Sequence, residues 1–128
     1  MVPEGLQYTA EHEWIASAGD EAMVRVGITD YAQEQLGDVV FVQLPTVGDT
    51  VSAGDSIAEV ESTKSVSEIY APLAGQITAV NGDLSDTPEQ VNSDPYGSGW
   101  MFELRLTDEG ARSELLDAEA YQSVIDGS

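Results

Sequence analysis

Residues 57–72, IAEVESTKSVSEIYAP, constrain this chain more than any other stretch, because they read as a β-hairpin with a lysine at its tip. With Thr63-Lys64 as a two-residue loop, Ser62 faces Ser65, Glu61 faces Val66 and Val60 faces Ser67. Further out, Ala58 meets Ile69 and Ile57 meets Tyr70. Both arms carry β-favouring residues around a small polar centre. Lys64 is the only lysine, and Arg25, Arg105 and Arg112 are the only other basic side chains apart from one histidine. A tip lysine is a solvated ammonium on a flexible stem with an open approach path, which suits it to covalent attachment. Exposed lysines ordinarily serve solubility. Here acid serves that purpose, with 24 Asp and Glu against 4 Lys and Arg and a net charge of −20. A chain that avoids lysine elsewhere and sets one on a hairpin tip needs an amine there.

The same charge balance excludes whole classes of partner. Nucleic acid and anionic membrane surfaces need Lys or Arg to meet phosphate, and this chain has almost none. Its acidity favours transient contact with basic protein surfaces. No cysteine is present, which removes disulfides, thiolate catalysis and thiolate metal sites. No apolar run reaches the length of a membrane span, and no basic-then-apolar signal pattern opens the sequence. A soluble cytoplasmic protein is the expectation. At 128 residues a single domain is expected, 1–128, with a core over about 6–106 and a C-terminal helical segment over about 107–126.

Along the chain, residues 6–9, 13–16 and 23–28 have strand character, with a turn at Ala18-Gly19-Asp20. Thr29 or Asp30 caps a short helix that Gly37 ends, and Tyr31, Gln35 and Leu36 share a face on it. Residues 38–44, DVVFVQL, read as a strand buried on both faces. Gly48-Asp49 and Gly54-Asp55 mark turns. A short strand follows over 76–80, then a turn at Asn81-Gly82. Thr87 is placed to cap a short helix with Pro88 at its first position. Residues 100–106 return as a strand, Thr107 caps a C-terminal helical region, and Asp117 caps a further helix. The sum is a mainly β, quasi-two-fold flattened structure with short helices and Lys64 on one corner.

Nothing in the residues assembles a catalytic centre. His12, the only histidine, stands between Glu11 and Glu13. Neighbours on a strand point to opposite faces, so the three do not converge, and a structural role is expected for His12. One histidine without a second ligand is a poor metal site. Ser62, Ser65 and Ser67 flank Lys64, but a hairpin tip does not desolvate the lysine enough to make it a base. There is no phosphate-cradling glycine loop and no calcium-loop spacing. No catalytic residue and no metal ligand are assigned.

Several segments together resemble one family. YTAEHEW (8–14), VGITDYAQEQLGDVVFVQLP (26–45), VGDTV (47–51), VESTKSVSEIYAPLAG (60–75), VNSDPYGSGW (91–100) and LLDAEAY (115–121) run in order over nearly the whole chain. They resemble the H-protein family, the lipoyl carriers of the glycine cleavage system. The long second block and DPYGSGW make the match specific, where a lipoyl hairpin alone would be generic. The resemblance implies a hybrid barrel-sandwich fold of lipoyl type, with helices packed on its sheets. It implies lipoate in amide linkage on Lys64, with Glu61 three residues before and Gly75 eleven after shaping what the lipoate-attaching enzyme recognises. It also implies a non-catalytic carrier that takes an aminomethyl group from a pyridoxal-phosphate glycine decarboxylase and delivers it to an aminomethyltransferase working with tetrahydrofolate. Dihydrolipoamide dehydrogenase, with FAD and NAD, then reoxidises the dithiol. The loaded arm is expected to fold back into a shallow cleft bordered by Glu11, His12, Glu13, Gln35 and Glu68, with Glu13 holding its ammonium. Other swinging-arm carriers remain as alternatives. Biotin carriers flank their lysine with methionines, where this chain has Thr63 and Ser65, and dehydrogenase lipoyl domains adjoin linkers and catalytic domains. A lipoate or acyl relay, or a non-lipoylated interaction module, would use the same scaffold.

Overall fold

The structure is a computed structural model and describes residues 2–127. Among the described residues, nine strands form two antiparallel sheets. The larger has the order β1 (Gln7–Tyr8), β2 (Glu13–Ala18), β3 (Asp20–Ile28), β9 (Phe102–Leu106), β8 (Gly75–Val80) and β5 (Thr50–Val51). The smaller has β4 (Val39–Gln43) and β7 (Val66–Tyr70) on either side of β6 (Ser56–Ser62). Three short helices, α1 (Asp30–Leu36), α2 (Gln90–Ser93) and α3 (Ala118–Asp126), join 3-10 turns at Gly82–Ser85 and Glu109–Glu114.

Strand alternation builds the core. Val24, Val26 and Ile28 of β3 and Phe102, Leu104 and Leu106 of β9 meet Ala58, Val60 and Ile69 of the small sheet in one apolar cluster. Leu36 of α1 joins them. A second cluster forms around Tyr8, Trp14 and Tyr121, where the Tyr8 and Tyr121 rings stack at 4.6 Å. It ties α3 onto the larger sheet. Trp14 lies so close to Gly27 that an added Cβ there would stand 2.8 Å from the indole. The Trp14 Nε1–H donates to the Pro95 carbonyl at 2.9 Å, which gives the DPYGSGW loop a structural use.

Helix α1 follows the expected capping. Thr29 Oγ1 accepts from the Ala32 N–H, and Gly37, at φ +83°, turns the chain out of the helix into β4. Other local expectations shift. The β6–β7 register runs Glu61↔Val66, Val60↔Ser67 and Ala58↔Ile69 as read, but an irregularity between Ser56 and Ala58 sets Tyr70 opposite Ser56 instead of Ile57. Strand β4 is not buried on both faces. It is an edge strand, and a bulge between Val39 and Phe41 leaves Val40 and Phe41 exposed while Val39 and Val42 point inward. Thr87 caps no helix: its hydroxyl donates back to the Asp83 carbonyl, and α2 starts three residues later. Asp108, one residue past Thr107, caps the first C-terminal turn by accepting from the Gly110 N–H. Asp117 caps α3 as expected.

Candidate functional site

Lys64 stands at the turn between β6 and β7 and is exposed. One buried hydroxyl shapes that turn. Ser62 Oγ accepts from the Lys64 and Ser65 N–H groups, each at 3.1 Å, and donates to the Ser65 carbonyl. A serine hydroxyl folded onto its own loop supplies the turn chemistry that an Asn-Gly pair would otherwise provide. Its proton is committed to a carbonyl, so Ser62 is not a nucleophile activated by Lys64.

The tip is also braced from below. The Thr63 N–H donates to the Asp38 carbonyl at 3.0 Å. The aliphatic stem of Lys64 lies over Gly37, where an added Cβ would stand 3.3 Å from Cε. Asn92 of α2 secures that support: its amide donates to the Gln33 side chain and the Gly37 carbonyl, and its oxygen accepts from the Val39 N–H at 2.8 Å. No hydrogen bond or ion pair holds the Lys64 ammonium among the described residues. Asn92 and Gly37 therefore serve the site, and the spacing of the sequence did not show it. The two lie 55 positions apart and meet only because α1 and α2 pack together.

A groove of about 350 Å³ opens beside the tip. Ile28, Ala32, Leu36 and Ile69 give it an apolar floor, and Glu11, His12, Tyr31 and Gln35 give it a polar end. Ser65, next to Lys64, and Leu36, next to Gly37, place the groove directly alongside the lysine. Glu11 and His12 do share this groove, because they sit in a turn ahead of β2 and not on a strand. His12 has φ +70°, a left-handed backbone uncommon for a side chain of its kind. Backbone bonds from the His12 N–H to the Thr9 carbonyl and from the Thr29 N–H to the His12 carbonyl hold it there. Its Nδ1 lies 2.8 Å from the Tyr121 hydroxyl, which lies 2.7 Å from Thr29 Oγ1. Burial lowers the His12 pKa against the opposing pull of Glu11, so the ring is neutral at pH 7. Burial likewise pushes the Tyr121 phenol up to about 12.

Two residues expected at the cleft take other places, and the two expected to shape attachment lie one on the hairpin and one in the other sheet. Glu13 does not border the groove: it is 1% exposed, with Oε2 accepting from the Tyr70 N–H at 2.8 Å and Oε1 from the Thr9 hydroxyl at 3.1 Å. The first residue of β2 points inward, so its carboxylate clamps β2 to the end of β7. Burial raises its pKa to about 7, against the lowering effect of those two bonds. Glu68 does not border the groove either. Strand alternation turns Ser67 and Ile69 toward it and Glu68 away, where Glu68 accepts from the hydroxyls of Ser56 and Tyr70. Gly75 is buried in the other sheet, and a Cβ there would sit 2.3 Å from the Arg105 carbonyl oxygen. Strand packing leaves no room there for a side chain. Glu61 is exposed on β6, one residue pair below the tip.

Two antiparallel sheets, a hairpin holding one exposed lysine with a free ammonium, and a groove beside it define a carrier domain for a covalently tethered arm. Residues 6–127 match the family model described as Glycine cleavage H-protein. Glycine cleavage system H proteins of Nocardia farcinica and Mycobacterium avium are 60% and 58% identical over 131 and 128 residues, covering 99% and 97% of this chain and 98% and 96% of theirs. The crystal structure of a glycine cleavage system H protein from Mycobacterium marinum superposes with a TM-score of 0.87 at 50% identity, covering 99% of this chain and all of that one. The chain belongs to the glycine cleavage H-protein family. Members are non-catalytic lipoyl carriers of the glycine cleavage system and hold lipoate covalently on a lysine.

Proposed function

We propose that Lys64 is the lipoylated residue and that the groove beside it is where the arm rests between visits to partner enzymes. The observation that carries this is the position of the chain's single lysine, exposed at a braced hairpin tip with its ammonium unengaged. The residues present fit the group. The stem already lies on Gly37 at the mouth of the groove, the floor of Ile28, Leu36 and Ile69 suits an alkyl chain, and the polar end offers a carboxylate and an imidazole. Bound lipoate supplies a dithiolane that takes up and gives back an aminomethyl group. The chain's own residues contribute reach, shelter and a fixed starting point. Lys64 swings about a tip that Ser62 and the Thr63–Asp38 bond keep rigid. Glu11, rather than Glu13, is the carboxylate placed to pair with an ammonium on the arm's end, by a charge-assisted hydrogen bond.

The partners of this reading are glycine decarboxylase, aminomethyltransferase, dihydrolipoamide dehydrogenase and the lipoate-attaching enzyme, all in the cytoplasm. Tethering raises the local concentration of the arm at each of their sites. Intact mass after co-expression with a lipoate-attaching enzyme tests the attachment. A lipoyl-sized gain in wild type and none in Lys64→Arg is expected. A gain retained in Lys64→Arg, or absent from both, overturns the assignment. Glycine–bicarbonate exchange with the decarboxylase then separates this carrier from a lipoate relay or another swinging-arm domain.

A further inference from the structure

Tyr121 of α3 is fully buried, and its hydroxyl reaches His12, which lines the groove. His12 Nδ1 lies 2.8 Å from that hydroxyl, and Thr29 Oγ1 lies 2.7 Å from it. Thr29 Oγ1 also accepts the Ala32 N–H at 3.2 Å as the cap of α1. Thr29 and Tyr121 are both 0% exposed, so neither hydroxyl can turn to solvent. Protons fit this chain in only one fully paired way. With Nδ1 bare, Thr29 donates to Tyr121, Tyr121 donates to Nδ1, and Thr29 still accepts from Ala32. With a proton on Nδ1, that proton takes the Tyr121 oxygen. Either Tyr121 then donates to Thr29, whose own proton has no acceptor, or Thr29 donates to Tyr121, whose proton has none. Both cases leave a buried O–H unpaired. The neutral ring therefore carries its proton on Nε2, favoured by about tenfold or more.

We propose that Tyr121 and Thr29 are positioning residues that lock His12 as its Nε2–H tautomer, so that the groove wall donates to the tethered arm and takes no proton from it. The proposal rests on the reading that the arm on Lys64 rests in this groove. His12 lines the groove with Nδ1 turned onto Tyr121, and Nε2 has no hydrogen-bond partner among the described residues. Nε2 is thus the ring nitrogen left to meet the arm. Imidazole is the side chain whose ordinary pKa lies nearest neutrality, so a bare Nε2 there would be a base. An aminomethyl group stays on sulfur only while its nitrogen keeps its proton. Once a base removes that proton, the nitrogen lone pair forms a second bond to carbon and the C–S electron pair leaves on sulfur. A protonated Nε2 cannot accept the proton, and the basic Nδ1 is already occupied by a phenol. Glu11 remains at the same end of the groove as the carboxylate that pairs with the ammonium. The lock shelters the cargo by denying it a base.

NMR of the His12 ring nitrogens in the unmodified chain, at a pH where the ring is neutral, reads the tautomer with no arm present. Wild type is expected to show Nδ1 unprotonated and Nε2 protonated, with the minor form under about a tenth. Tyr121→Phe should raise the minor form severalfold. Tyr8→Phe is the control: it removes a hydroxyl from the ring stacked on Tyr121, one that bonds Pro3 and not His12 or Thr29, and should change nothing. Mixed tautomers or a protonated Nδ1 in wild type overturn the proposal, as does an unchanged tautomer in Tyr121→Phe. Should Tyr121→Phe fail to fold, the wild-type tautomer decides. The aminomethyl-loaded protein, separated from the decarboxylase, is then followed by intact mass. Loss of the aminomethyl group should quicken roughly threefold in Tyr121→Phe. It should return to the wild-type rate when His12→Asn is added, since asparagine tolerates the left-handed backbone and is no base. Quickened loss that persists in the double variant is a structural effect and overturns the proposal. Loading that leaves the His12 resonances of wild type unmoved, with the tautomer locked, sinks instead the reading that the arm rests in the groove, and the sheltering role with it.

Discussion

The buried carboxylate of Glu13 should make the stability of this protein fall as pH rises through neutrality. In the unfolded chain Glu13 titrates near its usual 4.5, and in the fold near about 7. Between these values the folded state holds a proton that the unfolded state has released, so raising the pH favours unfolding. The contribution is fully present below 4.5 and is lost as pH climbs through about 7. At about 1.36 kcal/mol per pH unit of displacement, ionising Glu13 inside the fold costs about 3 kcal/mol more than in the open chain. That is a large share of the roughly 5–15 kcal/mol available to a domain. Glu13→Gln removes the titration and keeps a carbonyl oxygen for the Tyr70 N–H. Urea unfolding at pH 5, 6, 7 and 8 should show wild type losing up to about 3 kcal/mol relative to Glu13→Gln over that range. Repulsion within a chain of net charge −20 also grows with pH. Glu59→Gln, an exposed change of the same charge, isolates that term and should track wild type. Parallel curves for wild type and Glu13→Gln would refute the argument that burial controls this group.

Gly75→Ala should lower stability by about 1–3 kcal/mol, since its methyl has to displace the Arg105 carbonyl. Thermal unfolding measures this, and intact-mass assays of the folded fraction should still show lipoylation, in keeping with a packing role. Tyr121→Phe removes the hydroxyl bridging His12 and Thr29 and should cost about 1–2 kcal/mol by leaving buried partners unpaired. The same variant should shift the NMR titration of His12. In wild type that midpoint should fall below 6.5, because burial disfavours the imidazolium. It follows that His12 destabilises the fold as pH drops below 6.5, where the unfolded chain takes up the proton first. A wild-type midpoint at or above 6.5 would contradict the burial of that ring.

Much of the site was legible in the residues because it is local. The hairpin around Lys64 is built from adjacent strands, so alternation alone gave the pairing of Glu61 with Val66 and Val60 with Ser67. The α1 caps, Thr29 and Gly37, follow from the same short-range rules. Errors arose where a position answers to distant contacts. The run DVVFVQL has the composition of a doubly buried strand, yet β4 lies at a sheet edge and leaves Val40 and Phe41 about half exposed. Thr87 could cap a helix by spacing, but the Asp83 carbonyl competes for its hydroxyl. Glu13 is expected from the resemblance at the border of the cleft, and only the approach of β7 shows that its carboxylate is enclosed.

Sequence alone settled that the chain has one lysine and that a hairpin would present it, since both depend on composition and a two-residue period. It could not settle which carboxylates would stand near that amine. Glu11, Glu13 and Glu68 have the same chemistry, and the fold distributes them among the groove, the interior and the opposite face. That distribution depends on a left-handed turn at His12 and on how the two sheets meet, which are properties of packing between segments far apart in the chain. The support under Lys64 is of the same kind. Gly37, Asn92 and Asp38 come from α1, α2 and their connections, and they become one platform only when the helices dock.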